Sequence, residues 1–174
     1  GSQDVFYEEE GAFTGEVSPE QLESVGAKYV LVGHSERRAL GDTDEIVGKK
    51  LKAALGSDLL PILCIGEKEQ EGKQEFVKRQ LEYALTLDMS RVVLAYEPVW
   101  AISSHSGGVS DTPEDAAEMI RFIKGLGFQI VLYGGSVNAE NVGGFLEQDS
   151  IDGVLVGSAS LDAGEFKKIV ESAS

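Results

Sequence analysis

The chain is short of several things, and each shortage removes a class of explanation. It has one cysteine, Cys64, so no internal disulfide can form, and a lone thiol fits a reducing, cytoplasmic setting. Its two histidines, His34 and His105, are well separated and offer no zinc spacing with that cysteine, so neither a metal nor a cofactor is expected. Walker and dinucleotide fingerprints are absent. The apolar runs are far too short to span a bilayer, and no signal-peptide pattern opens the chain. There is no Pro/Ser-rich linker and no block of like charge, so residues 1–174 read as a single domain. Gly1-Ser2 has the form of a cloning scar and carries no weight in this reading. Positive charge is scarce: 15 Lys and Arg against 30 Asp and Glu leave a net charge of −15. Such a surface repels nucleic acid and anionic membranes, so neither is an expected partner. It also repels a phosphorylated small molecule unless local backbone dipoles overcome the global field.

What is present is a repeating order. Apolar, β-rich runs occur at Tyr29 to Val32, Leu60 to Ile65, Val92 to Ala95, Ile130 to Tyr133 and Val154 to Val156. They do not alternate in polarity, which suits strands of a parallel sheet covered on both faces. Helical patterns lie between them. Ser18-Pro19-Glu20-Gln21 combines an N-cap, a proline in the first turn and a capping-box glutamine, and Gly26 is the matching stop. Asp42 with Glu45 opens a second helix with a stripe of Ile46, Val47, Leu51, Ala54 and Leu55, ended by Gly56. Phe76, Val77, Leu81, Ala84 and Leu85 mark a third, and Thr112-Pro113 starts a fourth with Met119, Ile120 and Ile123 inward. Asn138 caps a short fifth, and Phe166, Ile169 and Val170 mark a terminal one.

Strand and helix thus alternate five times after an initial loop and helix. Right-handed crossovers turn that order into a curved parallel sheet with helices outside. A closed eight-stranded barrel needs at least about 200 residues. The expected fold is therefore an α/β partial barrel of five to six strands, open within one chain, with a stub at Gln3-Asp4-Val5.

The chemistry-bearing residues sit at strand ends. Glu97 ends the run Leu94-Ala95-Tyr96, just ahead of Pro98 and Trp100. It reads either as an acid–base group or as a carboxylate that caps a helix or meets an Arg. His34 reads either as a polarising imidazole or as a satisfied core histidine. Gly134-Gly135-Ser136 and Gly157-Ser158 read either as an anion cradle of backbone N–H groups or as tight turns that need glycine. Cys64 reads as a small buried hydrophobe, Glu67 as a loop anchor, and Tyr7-Glu8-Glu9-Glu10 and His105 as solvated.

Six segments in order carry a resemblance to the triosephosphate isomerase family. They are Gly11-Ala12-Phe13-Thr14-Gly15-Glu16, Gly33-His34-Ser35-Glu36-Arg37-Arg38, Cys64-Ile65-Gly66-Glu67, Glu97 through Ile102, Tyr133-Gly134-Gly135-Ser136-Val137 and Leu155-Val156-Gly157-Ser158-Ala159-Ser160-Leu161. The resemblance implies a (βα)8 ancestor without its first two βα units and most of its third strand. It implies Glu97 as catalytic base and His34 as electrophile, a Glu–His pairing of which the family is a known example. It implies a substrate-phosphate site at Ser103, Ser136, Gly157 and Ser158. Glu36 matches a supporting carboxylate whose partner is the family's catalytic lysine, and here it is either unpaired or rescued by Arg37 or Arg38.

No residue of this chain aligns with that lysine. Ser103 also stands where the family has a glycine, in a lid segment about three residues longer than usual. The resemblance therefore implies interconversion of dihydroxyacetone phosphate and glyceraldehyde 3-phosphate, the family's glycolytic and gluconeogenic step, by descent, with activity very low or lost. The alternatives are a non-catalytic protein that binds phosphate or a small phosphorylated metabolite, and the C-terminal part of a split isomerase. Opening a barrel leaves apolar layers and strand edges uncovered, so a homo-oligomer covering the open side is expected.

Overall fold

The structure is a computed structural model that describes residues 1–102 and 111–173. Five strands form one all-parallel sheet in sequential order: β1 (Tyr29–Val32), β2 (Leu60–Ile65), β3 (Val93–Tyr96), β4 (Val131–Tyr133) and β5 (Gly153–Val154). Between and around them lie α1 (Pro19–Ser24), α2 (Ser35–Ala39), α3 (Asp44–Leu55), α4 (Lys73–Leu81), α5 (Pro113–Gly125), α6 (Val142–Leu146) and α7 (Ala163–Ser172). The sheet does not close on itself, as the strand count requires. A sixth pairing is a single parallel bridge between Ser2 and Val30, with Ser2 N–H donating to Tyr29 O at 2.8 Å and Leu31 N–H to Ser2 O at 2.9 Å. The stub thus pairs through Ser2, one residue ahead of the expected segment, and Ser2 belongs to the dipeptide set aside above.

Local signals account for most helix starts. Ser18 Oγ accepts from Gln21 N–H while the Gln21 side chain accepts from Ser18 N–H, a complete capping box, and Gly26 follows at φ +83°. Thr112 caps α5 through Asp115 N–H. Two starts differ from the sequence reading. Thr43, with extended backbone, caps α3 by accepting from Ile46 N–H, and Asp42 serves an ion pair instead. Asn138 Oδ1 accepts from Glu140 and Asn141 N–H, capping a turn that precedes α6 rather than α6 itself.

The register places the core on one side of the sheet. Val30, Val32, Leu63, Leu94, Val131 and Tyr133 are essentially fully buried beneath the helices, against Val47, Leu51, Val77, Leu81, Met119, Ile120 and Ile123. Leu31, Ile62 and Val93 form a neighbouring row across three strands and are only half-buried, as is Leu132. The strands are apolar on both faces, and the second face is only partly covered, with Cys64 and Ala95 on it buried. On α7, Ile169 is buried while Phe166 and Val170 remain exposed, and Leu85 after α4 is exposed as well.

The α3 stripe holds a residue that hydrophobic periodicity could not reveal. Lys50 is 2% exposed, and its Nζ donates to Asp4 at 2.8 and 2.9 Å and to Asp42 at 2.7 Å. Arg37 joins the same carboxylates at 2.9 and 3.7 Å. This cluster ties the N-terminal segment to α2 and α3. Removing one partner of a buried pair leaves the others uncompensated, so Lys50→Ala is expected to lower stability by about 3 kcal/mol, read as a fall in the urea midpoint.

Candidate functional site

The strand ends converge on Glu97, the residue after β3. Its N–H donates to Ile65 O at 2.7 Å, and Gly134 N–H donates to Tyr96 O at 2.8 Å, so the parallel ladder runs past the strands on both sides. Glycine flanks it on each neighbour. A Cβ on Gly66 would overlap the Glu97 carbonyl oxygen, and one on Gly134 would come within 2.8 Å of Glu97 Cγ. The carboxylate is 2% exposed. Glu97 Oε2 accepts from Ser35 N–H at 3.2 Å, and Oε1 lies 3.6 Å from His34 Nε2.

His34 precedes α2, and its ring caps that helix. Its Nδ1 accepts from Glu36 N–H at 3.2 Å, so Nδ1 carries no proton and Nε2 is the donor turned toward Glu97. Burial pushes the Glu97 carboxyl above the usual range, while His34, Cys64 and the Ser35 N–H pull it back. Cys64 is a buried thiol, as read from the sequence, and burial raises its pKa well above normal.

Glu67 anchors the segment that leaves β3. Its Oε1 accepts from Tyr96 OH and Trp100 Nε1, each at 2.8 Å, and its backbone oxygen accepts from Val99 N–H at 2.9 Å. Ser136 Oγ donates to Ala101 O at 2.6 Å, joining this segment to the β4 end. The Ser136 hydroxyl is therefore committed to protein.

One cavity of about 700 Å³ brings together His34, Glu36, Glu97, Ser136, Gly157 and Ser158. Ser158 opens a 3₁₀ turn, Ser158–Leu161, whose first N–H groups have no partner within the turn. No non-glycine residue among those described has a positive φ, so Ser158 fits its place without backbone strain. Ser103 and His105 lie outside the described residues. Arg37 and Arg38 do not rescue Glu36: Arg37 faces Asp4 and Asp42, and Arg38 binds Asp44 and the carbonyls of Gly33 and Cys64. Among the described lining residues there is no Lys or Arg, and the charged groups are Glu36, Glu97 and Glu165. Glu165 was not singled out from the sequence; its carboxylate accepts from Ala139 N–H at 2.8 Å. A carboxylate and an imidazole N–H 3.6 Å apart form a pair able to move a proton, and the glycine turns after β4 and β5 line the same cavity.

The raised proton affinity of Glu97 has a thermodynamic consequence. A group whose folded pKa is raised stabilises the fold below its unfolded value, and that stability is lost as pH rises through the folded pKa. Glu97→Gln is therefore expected to stabilise the chain at pH 7, with the gain shrinking toward zero as pH falls below the ordinary glutamate range. Urea midpoints of the two proteins between pH 4 and 8 check this.

The family profile described as triosephosphate isomerase matches residues 1–173. The triosephosphate isomerase of Caldanaerobacter subterraneus is 45% identical over 98% of this chain and 75% of its own length. Those of Aquifex aeolicus and Roseiflexus castenholzii are 44% and 46% identical, over 99% and 98% of this chain and 75% and 73% of their own lengths. Profile and relatives agree with the order of strand-end motifs, and the chain belongs to the triosephosphate isomerase family.

Proposed function

We propose that the chain keeps the acid–base pair and the anion cradle of a triosephosphate isomerase but interconverts dihydroxyacetone phosphate and glyceraldehyde 3-phosphate slowly or not at all by itself. In this reading Glu97 removes a proton beside the carbonyl and returns it to the neighbouring carbon. His34 donates through Nε2 to the oxygen that gains charge. Ser136, Gly157, Ser158 and Ser103 donate backbone N–H groups to the phosphate, and Glu36 supports the site. The observation that carries the reading is the cavity, which gathers Glu97, His34 and both glycine turns without a cationic side chain among its described lining. Lys50 cannot serve, because its ammonium is held between Asp4 and Asp42.

Loss of one preorganised charged group commonly costs on the order of 100-fold in rate. A coupled isomerase assay is expected to give turnover at least about 100-fold below ordinary members of the family, and Glu97→Gln removes what remains. Turnover within about tenfold of those enzymes would overturn the reading. The absence of a cation from the described lining favours a second reading, a non-catalytic protein that binds phosphate or a small phosphorylated metabolite. Calorimetry with phosphate, glycerol 3-phosphate and phosphoglycolate tests it: heat without turnover supports it, and no heat with any of them excludes it.

The half-buried row Leu31, Ile62 and Val93 supports self-association across the open side. Light scattering at micromolar concentration is expected to give at least twice the single-chain mass, and a mass of 18.6 kDa would remove this part of the proposal.

A further inference from the structure

The core-facing stripe of α4 contains a polar side chain. Val77 and Leu81 are fully buried on it, and Gln80, beside them at helical spacing, is buried as well. An amide in such a stripe is costly unless its polar atoms are bonded. Gln80 Oε1 accepts from Gly66 N–H at 2.9 Å, a contact buried on both sides.

Gly66 is the residue after β2, and it is the one that lies against the Glu97 carbonyl. In a parallel ladder successive residues address opposite neighbours. Ile65 O accepts from Glu97 N–H on the β3 side, so Gly66 N–H faces the β1 side. There β1 has already ended at Val32, which pairs with Leu63, and the chain turns away at Gly33 with φ +77°. Side chains stand in for the strand. Arg38 donates through Nε to Gly33 O at 2.7 Å and through Nη2 to Cys64 O at 3.4 Å, and Gln80 answers Gly66.

Three consecutive residues make the seat of Glu97. Ile65 O takes its N–H, Gly66 abuts its carbonyl, and Glu67 O takes Val99 N–H just beyond it. Without the Gln80 oxygen, the middle residue keeps a buried donor that has lost its acceptor. The end of β2 then gains by shifting toward water and away from Glu97, and the carboxylate loses shielding.

We propose that Gln80 is a positioning residue for Glu97: acting through Gly66, it holds the end of β2 against the base and keeps the carboxylate closed off from water. The inference rests on the acid–base reading of Glu97 and adds to it a residue of α4 that is not part of the cavity lining.

Titration of the Glu97 carboxyl by carbon NMR in the full chain tests this, with Glu97→Gln assigning the signal. Gln80→Met keeps the length of the side chain and removes the acceptor. In that variant the Glu97 pKa is expected to fall toward the ordinary glutamate value, because burial is what raises it. Lys50→Ala weakens the fold through the Asp4 and Asp42 cluster and is expected to leave that pKa where it is, which separates positioning from a general loss of stability. Hydrogen exchange reads the same tie. Gly66 N–H is expected to exchange as slowly as Glu97 N–H in the parent chain, and about tenfold faster in Gln80→Met. A Glu97 pKa unmoved by Gln80→Met, or moved equally by Lys50→Ala, overturns the proposal. So does a Gly66 N–H that exchanges far faster than Glu97 N–H in the parent chain, a result that requires no variant to fold. Neither readout depends on turnover, so failure of the proposal and failure of the isomerase reading are told apart.

Discussion

Glu97 holds its place because the backbone on either side comes close to it without a side chain between. Gly66 lies against its carbonyl and Gly134 against its Cγ. That approach lets the ladder continue through Glu97 N–H and Gly134 N–H, and the continued ladder fixes where the carboxylate sits. The carboxylate is then closed off from water, which raises its proton affinity. The start of α2 answers from the next strand end but one: Ser35 N–H meets Oε2, while Glu36 N–H holds His34 Nδ1 and so leaves the proton on Nε2. Two glycines and two backbone donors thus set the position, the proton affinity and the tautomer of the pair.

Several cations of this acidic chain are held by scaffold carboxylates. Lys50 and Arg37 neutralise Asp4 and Asp42, Arg38 laces the ends of β1 and β2 while pairing with Asp44, and Lys124 holds Asp152. The described lining of the cavity is left with carboxylates and one imidazole. A phosphate ester entering it relies on backbone donors, which carry only partial charge and act over a short range.

The sheet is apolar on both faces, one fully covered and the other covered only around Cys64 and Ala95. Helices bury the row through Val32, Leu63, Leu94 and Val131, while the row through Leu31, Ile62 and Val93 stays half-buried. In a parallel sheet both faces are normally covered, so the uncovered row is surface that still has apolar area to bury. Leu31 belongs both to that row and to the cavity, so the open face and the site are continuous.

Much of this was legible in the sequence because its signals are local. The capping box at Ser18, the stop at Gly26 and the start at Thr112 depend on neighbours within a turn. The apolar runs marked all five strands to within about two residues, because burial of a whole strand acts on consecutive side chains. The strand-end motifs placed Glu97, His34, Ser136, Gly157 and Ser158, which the fold gathers around one cavity. Periodicity missed Lys50, since a buried ammonium is stabilised by Asp4, distant in sequence. Of Phe166, Ile169 and Val170, the apolar positions that mark α7, only Ile169 is buried. The amino-acid order by itself determined the alternation of strands and helices and the residues at each strand end. Only the tertiary structure decided the tautomer of His34, the engagement of the Ser136 hydroxyl and the absence of a cation from the described cavity lining, because each depends on which atoms meet across strands that the sequence keeps far apart.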